Sequence, residues 1–194
     1  MAAKKTAQTN NSVRIIGGQW RGRKIPVANA DGLRPTGDRM RETVFNWLSP
    51  FVPASTCLDL FAGSGALGLE AASRGAHQVN FCESNPKCFS QLNQTLGQLS
   101  AIQCTATRAD GLQWLAATSQ TFDIIFLDPP FKDQLLSHAL SSILEYQTLN
   151  PNGLIYVEHP TGHDFSPRKE LYWHRQKTAG SVTYGLLALE KTLK

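Results

Sequence analysis

Short apolar runs alternate with amphipathic segments over the last three quarters of the chain. The runs have the length of buried strands, and the segments between them carry apolar residues at helical spacing. The predicted strands cover residues 57–61, 78–82, 102–107, 122–127 and 153–158, and the predicted helices cover approximately 66–74, 85–97, 111–117 and 134–146. Strands that alternate with helices predict an α/β fold with a parallel sheet and right-handed crossovers.

Two regions flank this alternation. Residues 171–177 and 183–191 predict two further strands that pair antiparallel. Near the N-terminus, residues 13–16 and 24–27 surround a glycine-rich stretch and predict a hairpin. Residues 37–48 then follow helical spacing up to Pro50 and Pro53. We therefore expect a disordered lead-in over 1–12, a hairpin-and-helix unit over 13–50 and a main α/β domain over 51–194.

Composition excludes several classes of protein. The 194 residues are 41% hydrophobic and 18% charged, which is typical of a globular chain. No apolar run approaches the roughly 18 residues of a membrane span. The four cysteines form no C-x-x-C pair, so we expect reduced thiols in a cytoplasmic protein and no zinc site or other metal site.

The positive charge is concentrated in the first quarter of the chain. Residues 1–50 hold nine Lys and Arg against three Asp and Glu, whereas residues 51–194 hold ten against twelve. Such a cluster favours a polyanion, and an aromatic residue among arginines can stack on a base. A solvated basic face is the alternative. The predicted RNA contacts are Arg14, Trp20, Arg21, Arg23, Lys24, Arg39 and Arg41.

A glycine-rich turn joins the first predicted strand to the first helix of the main domain. Gly63 and Gly65 allow a tight turn and a close ligand approach. Alone, this turn is compatible with NAD, FAD or another adenosine-bearing ligand. Asp59, however, precedes the glycines, and a carboxylate there suits a positively charged amino-acid tail better than a pyrophosphate. Glu83 would accept hydrogen bonds from ribose hydroxyls, and Asp110 would either lie near a base edge or cap the helix that follows it.

A second motif, Asp-Pro-Pro-Phe at 128–131, directly follows the fourth predicted strand. Its prolines stiffen the turn and leave bare carbonyl groups. The Asp128 carboxylate and the Pro129 carbonyl could accept both N–H bonds of an exocyclic amine and direct its lone pair at an electrophile, while Phe131 stacks on the base. The ends of strands one and four are neighbours in a doubly wound sheet, so both motifs should share one crevice. Glu158, His159 and Pro160, after the fifth strand, are further candidates for its lining.

These motifs resemble a known family. Asp-Leu-Phe-Ala-Gly-Ser-Gly with Asp-Pro-Pro-Phe looks like the class I S-adenosylmethionine-dependent amino-methyltransferases. Arg-Ile-Ile-Gly-Gly-Gln-Trp-Arg-Gly-Arg, followed by Leu-Arg-Pro-Thr and Arg-Glu-Thr-x-Phe-Asn-Trp-Leu, resembles the bacterial small-subunit ribosomal RNA guanine-N2 methyltransferase family. The resemblance runs from about residue 12 to the C-terminus.

The resemblance implies a Rossmann-like sheet of seven strands with an antiparallel last strand. It implies S-adenosylmethionine as the methyl donor and N2-methylguanine in 16S rRNA as the product, with Arg34-Pro35-Thr36 bordering the cofactor pocket. A small-subunit assembly particle is the expected substrate and a monomer the expected enzyme. The expected cofactor-binding residues are Arg34, Thr36, Asp59, Phe61, Gly63, Ser64, Gly65, Glu83, Ser84, Asp110 and Gly111, and the expected catalytic residues are Asp128, Pro129, Pro130 and Phe131.

Three alternatives have distinct signatures. A DNA adenine-N6 methyltransferase shares Asp-Pro-Pro-Phe but needs a recognition insert, and only sixteen residues separate Gly111 from Asp128. A non-enzymatic RNA-binding factor would not bind S-adenosylmethionine. An NAD-dependent dehydrogenase has no use for Asp-Pro-Pro-Phe.

Overall fold

The computed structural model describes residues 12–27, 37–130, 134–162 and 165–190. Nine strands and five helices lie in these ranges, so the predicted alternation of strands and helices is confirmed. The strands are β1 (Ser12–Arg14), β2 (Lys24–Pro26), β3 (Thr56–Asp59), β4 (Gln78–Cys82), β5 (Cys104–Thr107), β6 (Phe122–Leu127), β7 (Leu149–Pro160), β8 (Leu171–Ala179) and β9 (Val182–Leu189). The helices are α1 (Asp38–Trp47), α2 (Ala66–Ser73), α3 (Pro86–Leu99), α4 (Gly111–Ala117) and α5 (Leu135–Glu145). The predicted lead-in lies outside the described residues except for Ser12.

Seven strands form one sheet in the order β5-β4-β3-β6-β7-β9-β8. The strands from β5 to β7 run parallel, and β9 pairs antiparallel with both β7 and β8. The predicted α/β fold with a doubly wound, seven-stranded sheet and an antiparallel last strand is therefore confirmed. The ends of β3 and β6 are neighbours, as the sequence predicted for the two motif-bearing strands.

Helices cover both faces of the sheet, and β6 supplies side chains to both. Ile124 and Phe126 belong to the core cluster shared with α1, α2 and α3. Ile125 and Leu127 belong to the opposite cluster, which is covered by α4 and α5. Each of these four side chains is fully buried, which explains why the strand is an uninterrupted apolar run rather than an alternating one.

The N-terminal hairpin is attached to α2 by a dense set of hydrogen bonds. The two carboxylate oxygens of Glu70 accept from the backbone N–H groups of Ile16 and Gly17 at 2.7 and 2.8 Å. Glu70 also receives the Arg74 guanidinium at 2.7 Å, although its own side chain is fully buried. The Ser73 hydroxyl donates to the Gly17 carbonyl and accepts from the Trp20 N–H. The hairpin therefore shares the core of the main sheet.

Most strand boundaries differ from the sequence-based ones by one to four residues, and the starts of β5 and β7 are two examples. β5 begins at Cys104 rather than at residue 102, because Ile102 lies in the preceding turn and is 96% exposed. β7 begins at Leu149, four residues early, and carries a register irregularity opposite Phe122 and Ile124. By contrast, the Asn85-Pro86 start of α3 is as expected: the Asn85 side chain caps the backbone N–H groups of Lys87 and Cys88.

All four cysteines are free thiols, in agreement with the sequence-based expectation. Burial raises the pKa of Cys57, Cys82 and Cys104 to about 12, so these thiols stay protonated at neutral pH. Across the described ranges no helix combines the length and the apolarity that a membrane span requires.

Two glycines of the hairpin allow a matched test of this docking. Both have positive φ, 74° at Gly18 and 84° at Gly22. A Cβ at Gly18 would lie 1.8 Å from the Ser73 carbonyl oxygen, whereas a Cβ at Gly22 would meet nothing within 4 Å. We expect Gly22→Ala to lower the free energy of unfolding by about 1–2 kcal/mol through backbone strain alone. Gly18→Ala should cost at least about 2 kcal/mol more, because the hairpin must also move off α2.

Urea unfolding of the two variants and of the wild-type protein measures the difference. Equal losses in the two variants would contradict the close approach between Gly18 and Ser73.

Candidate active site

Five carboxylates line the carboxyl edge of the parallel strands. Across the sheet they stand in the order Asp110, Glu83, Asp59, Asp128 and Glu158. The first four lie at or just beyond the ends of β5, β4, β3 and β6, and Glu158 lies in β7 directly after its last pair with β6. We call this set the acidic row. Parallel strands that share an edge bring together residues far apart in the chain, and ligands of open α/β sheets bind at that edge. The acidic row therefore marks the candidate site.

Asp59 lies at the centre of the acidic row, under the glycine-rich turn. Its carboxylate accepts the backbone N–H of Gly68, at the start of α2, at 2.9 Å. Gly63 and Gly65 both have positive φ, 53° and 76°. A Cβ at Gly65 would also lie 2.5 Å from a methyl group of Leu92, so both backbone conformation and packing require glycine there.

The ionisation of Asp59 is strongly perturbed. The residue is 2% exposed, and burial raises the pKa of its carboxyl group to about 7. The Gly68 hydrogen bond lowers that pKa, and the charge of Glu83 raises it further. Within the described ranges no lysine or arginine forms an ion pair with Asp59. A cation placed beside Asp59 would therefore relieve a real electrostatic cost.

Glu83 is held by backbone donors on both sides. One of its oxygens accepts the Gly63 N–H at 2.6 Å, and the other accepts the Asn85 N–H at 2.7 Å. A carboxylate oxygen has two lone-pair sites, so each oxygen retains an acceptor position toward the edge of the sheet. The bond to Gly63 also ties the glycine-rich turn of β3 to the end of β4.

Asp110 caps α4 by accepting the Gln113 N–H at 3.0 Å, which is the alternative role that the sequence left open. Its side chain is exposed, as is that of Ser84, while Ser64 is partly buried. Gly111 is packed closely: a Cβ there would lie 3.0 Å from the Phe61 ring. Phe61 and Gly111 thus form a compact wall between the ends of β3 and β5.

The Asp-Pro-Pro segment leaves β6 at the same edge. Asp128 is partly exposed, Pro129 is buried and Pro130 is exposed. The N–H of Leu60 donates to the Phe126 carbonyl, so the ends of β3 and β6 remain paired up to the two motifs. The other residue expected at this position, Phe131, lies outside the described residues, as do Arg34 and Thr36.

One buried pair at this edge was not anticipated from the sequence. The Tyr156 hydroxyl donates to Oε1 of Glu158 at 2.5 Å, and both residues are buried. Burial raises the pKa of Tyr156 well above its ordinary value, and the charges of Glu158 and Asp128 raise it further. Tyr156 and Glu158 are two residues apart on β7 and therefore lie on one face of the sheet. The spacing alone does not show that this face of β7 lies beside Asp128. His159 points to the other face, where its ring packs in a tilted arrangement against Phe165, with the ring centroids 4.7 Å apart.

The basic residues of the hairpin and of the first turn of α1 are mostly available to a ligand. Arg14, Arg21, Arg23, Lys24 and Arg39 are exposed. Trp20 is partly buried against the main core cluster, so only part of its ring could face a base.

Arg41 is a correction to the expected RNA contacts. Its side chain is fully buried, and Nη2 donates to the Arg14 carbonyl at 2.8 Å and to Asp38 at 2.7 Å. Its position on the inner face of α1, one turn before Phe45, takes the guanidinium away from the surface. Arg41 therefore joins α1 to β1 and does not belong to an exposed phosphate-binding surface.

The hydrogen-bond acceptors of the acidic row fit S-adenosylmethionine. The molecule has a cationic ammonium group and sulfonium, a ribose diol and an adenine amino group. The buried Asp59, the two-sided acceptor Glu83 and the exposed Asp110 stand in that order along the edge. A diphosphate would meet these carboxylates unfavourably. Among the described residues no group of three His, Cys, Asp or Glu side chains could hold a metal ion.

The chain is similar to a known protein family and to proteins that are named as methyltransferases. The family described as "Conserved hypothetical protein 95" matches residues 13–188. The chain is 44% identical over 186 residues to "Ribosomal RNA small subunit methyltransferase D" of Haemophilus influenzae, which covers 94% of this chain and 96% of that protein. The protein of the same name from Escherichia coli is 43% identical over 93% of this chain and 92% of its own.

A solved structure is also similar. The Escherichia coli protein named "Putative methyltransferase yhhF" superposes with a TM-score of 0.84 and 42% sequence identity, over 93% of this chain and 99% of that one.

The pKa of Asp59 predicts a specific dependence of stability on pH. The carboxyl group ionises near its ordinary pKa of about 4 in the unfolded chain and near 7 in the folded one. Between these values the folded state holds an extra proton, so stability falls as the pH rises and levels off above 7. Asp59→Asn removes the titrating carboxyl group but keeps an oxygen that can accept the Gly68 N–H. We expect its stability relative to wild type to increase by up to about 4 kcal/mol between pH 4 and 8.

Urea unfolding across that range tests this, with the exposed Glu145→Gln as the control for loss of a carboxylate. A constant difference between Asp59→Asn and wild type from pH 4 to 8 would show that Asp59 is not perturbed.

Proposed function

The chain belongs to the family described as conserved hypothetical protein 95, and from this membership we propose that it is a small-subunit ribosomal RNA methyltransferase. In finer detail, we propose that it transfers a methyl group from S-adenosylmethionine to the exocyclic N2 of a guanine. The acidic row carries this proposal, since it offers acceptors to a cationic donor and to an amine at one edge of the sheet.

Three carboxylates would hold the cofactor. Asp59 would bind the ammonium of the methionine portion, Glu83 the ribose hydroxyls and Asp110 the adenine. The bound sulfonium supplies an activated methyl group. Because Asp59 holds a proton up to about pH 7, binding of the ammonium should release that proton and tighten as the pH rises through 7.

The Asp-Pro-Pro segment would orient the acceptor. The lone pair of an exocyclic amine is delocalised into the purine ring, so the amine is a weak nucleophile. The Asp128 carboxylate and the Pro129 carbonyl would accept its two N–H bonds, favour the pyramidal form and point the lone pair at the methyl carbon. The chain therefore contributes mainly alignment for an in-line displacement. The guanine must leave its stack to reach this edge, which is easiest in a loop or junction.

The exposed basic residues of the hairpin and of the first turn of α1 would bind RNA phosphates. Arg14, Arg21, Arg23, Lys24 and Arg39 are proposed for this role. Glu70 and Ser73 accept hydrogen bonds from backbone N–H groups of the hairpin and so fix it to α2, which itself begins at the glycine-rich turn. An RNA held by the hairpin would thus be held in a defined position relative to the cofactor site. A small-subunit assembly particle remains the proposed substrate, with the enzyme as a monomer.

The identity of the methylated nucleoside tests the proposal. Small-subunit ribosomal RNA and assembly intermediates from cells that lack the protein would be incubated with it and methyl-labelled S-adenosylmethionine, then digested and separated by mass spectrometry. We expect the label in N2-methylguanosine. Label in N6-methyladenosine would indicate an adenine methyltransferase, and absence of label together with absence of cofactor binding in calorimetry would indicate a non-enzymatic RNA-binding protein.

Asp128→Ala should abolish methyl transfer while cofactor binding stays within about twofold of wild type. The reason is that Asp128 would contact the amine, whereas the residues proposed for the cofactor lie on β3, β4 and β5. Calorimetry with S-adenosylmethionine and single-turnover methylation separate the two effects, and Glu145→Ala provides an exposed control on α5. Methylation at the wild-type rate by Asp128→Ala would rule out this role.

The double variant Arg21→Ala/Arg23→Ala should raise KM for RNA about tenfold and change kcat less than twofold, because phosphate contacts position RNA without taking part in transfer. Its salt dependence should also be weaker, since fewer counterions are released. The control Lys169→Ala/Lys177→Ala removes equal charge at and just before the edge strand β8. An equal effect of both double variants on KM would argue against the hairpin as the RNA-binding surface.

A further inference from the structure

Glu158 lies beside Asp128 on the same face of the sheet. The register of β6 and β7 pairs Phe126 with Tyr156 and Leu127 with Val157. Side chains alternate along a strand, and both Phe126 and Tyr156 belong to the core cluster on the side of α1. The next residues on that face are Asp128 and Glu158. Neighbouring strands are about 4.8 Å apart, so the two carboxylates stand side by side at the edge.

Tyr156 fixes the position of Glu158. Glu158 is 4% exposed, and its carboxylate accepts the Tyr156 hydroxyl at Oε1. Tyr156 is itself wedged in the core, where its ring lies 6.3 Å from that of Phe126. The second carboxylate of this pair is therefore an anchored acceptor at the position where a base would enter.

The adjacent acceptors Asp128 and Glu158 match the Watson–Crick edge of guanine better than that of adenine. Guanine carries the N1–H donor directly next to its N2 amino group, so its edge offers neighbouring donors. Adenine has an N1 acceptor next to its N6 amino group, and that acceptor would face a carboxylate without a proton between them. An adenine N1 buried there without a donor would cost about 1–3 kcal/mol in binding.

We propose that Glu158 is a specificity-determining residue that accepts the N1–H of the target guanine, while Asp128 and the Pro129 carbonyl take the N2 amine. This inference rests on the proposed function and extends it to the choice of base. Tyr156 acts as the positioning residue that keeps the Glu158 carboxylate in place.

A base analogue isolates the proposed contact. Once the methylated guanine has been mapped, small-subunit ribosomal RNA would be assembled by ligation with either guanine or 2-aminopurine at that nucleotide. The analogue keeps the N2 amine but has an unprotonated N1 and no O6, so the contact of Glu158 is measured by how Glu158→Gln changes the preference for guanine. We expect wild-type kcat/KM to be at least 30-fold higher for guanine than for 2-aminopurine. Glu158→Gln, whose amide can donate to N1, should reduce that ratio at least tenfold.

Three controls keep the outcome specific. Glu145→Gln makes the same change on the exposed face of α5 and should leave the ratio unaltered. Calorimetric binding of S-adenosylmethionine and the urea midpoint show whether Glu158→Gln is folded. Tyr156→Phe removes the anchoring hydroxyl and should lower kcat on guanine RNA with little change in KM for the cofactor, whereas a merely structural hydroxyl would change the urea midpoint alone.

The results separate the two proposals. If wild-type protein does not methylate guanine RNA, the proposed function fails. If it does, and folded Glu158→Gln keeps the wild-type preference for guanine over 2-aminopurine, only the role of Glu158 is overturned.

Discussion

The parallel pairing of five neighbouring strands is the constraint on which the site depends. Each strand ends at the same edge and delivers one carboxylate there, although Asp59 and Glu158 are a hundred residues apart in the chain. Burying a carboxylate near other carboxylates is unfavourable: burial, and to a smaller extent the charge of Glu83, raise the pKa of Asp59. The protein reduces this cost with backbone donors: Gly68 to Asp59, and Gly63 and Asn85 to Glu83. A cationic or donor-rich ligand would reduce it further.

The same architecture links recognition to chemistry. The hairpin, α1 and α2 contribute to a single core cluster with β6 and β7, so the division at residue 50 is not a break in packing. Glu70 is central to this arrangement, because one buried carboxylate joins two hairpin N–H groups to the Arg74 guanidinium. Removing the Arg74 guanidinium would leave the buried charge of Glu70 with the two backbone donors alone. Close packing of the hairpin on α2 also requires glycine at position 18, because the backbone of Ser73 occupies the space that a side chain would take.

Periodicity predicted most of the elements correctly, because strands such as Phe122–Leu127 are buried on both faces and α3 begins with a strong cap at Asn85. The motif residues of the acidic row could also be predicted, since strand ends in a parallel sheet converge by topology. What could not be predicted depends on contacts between distant segments. Arg41 follows the pattern of a basic surface cluster, yet the inner face of α1 takes it into the core. Likewise, the hydrogen bond between Tyr156 and Glu158 becomes meaningful only when β7 is known to lie beside β6.

The most direct test is a crystal structure of the protein with S-adenosylhomocysteine, the demethylated product of the proposed donor. The proposed site predicts electron density at the ends of β5, β4 and β3, with the ligand ammonium within hydrogen-bonding distance of Asp59, the ribose hydroxyls on Glu83 and the sulfur directed toward Asp128. Density on another face of the sheet, or a ligand whose carboxylate rather than ammonium faces Asp59, would contradict it.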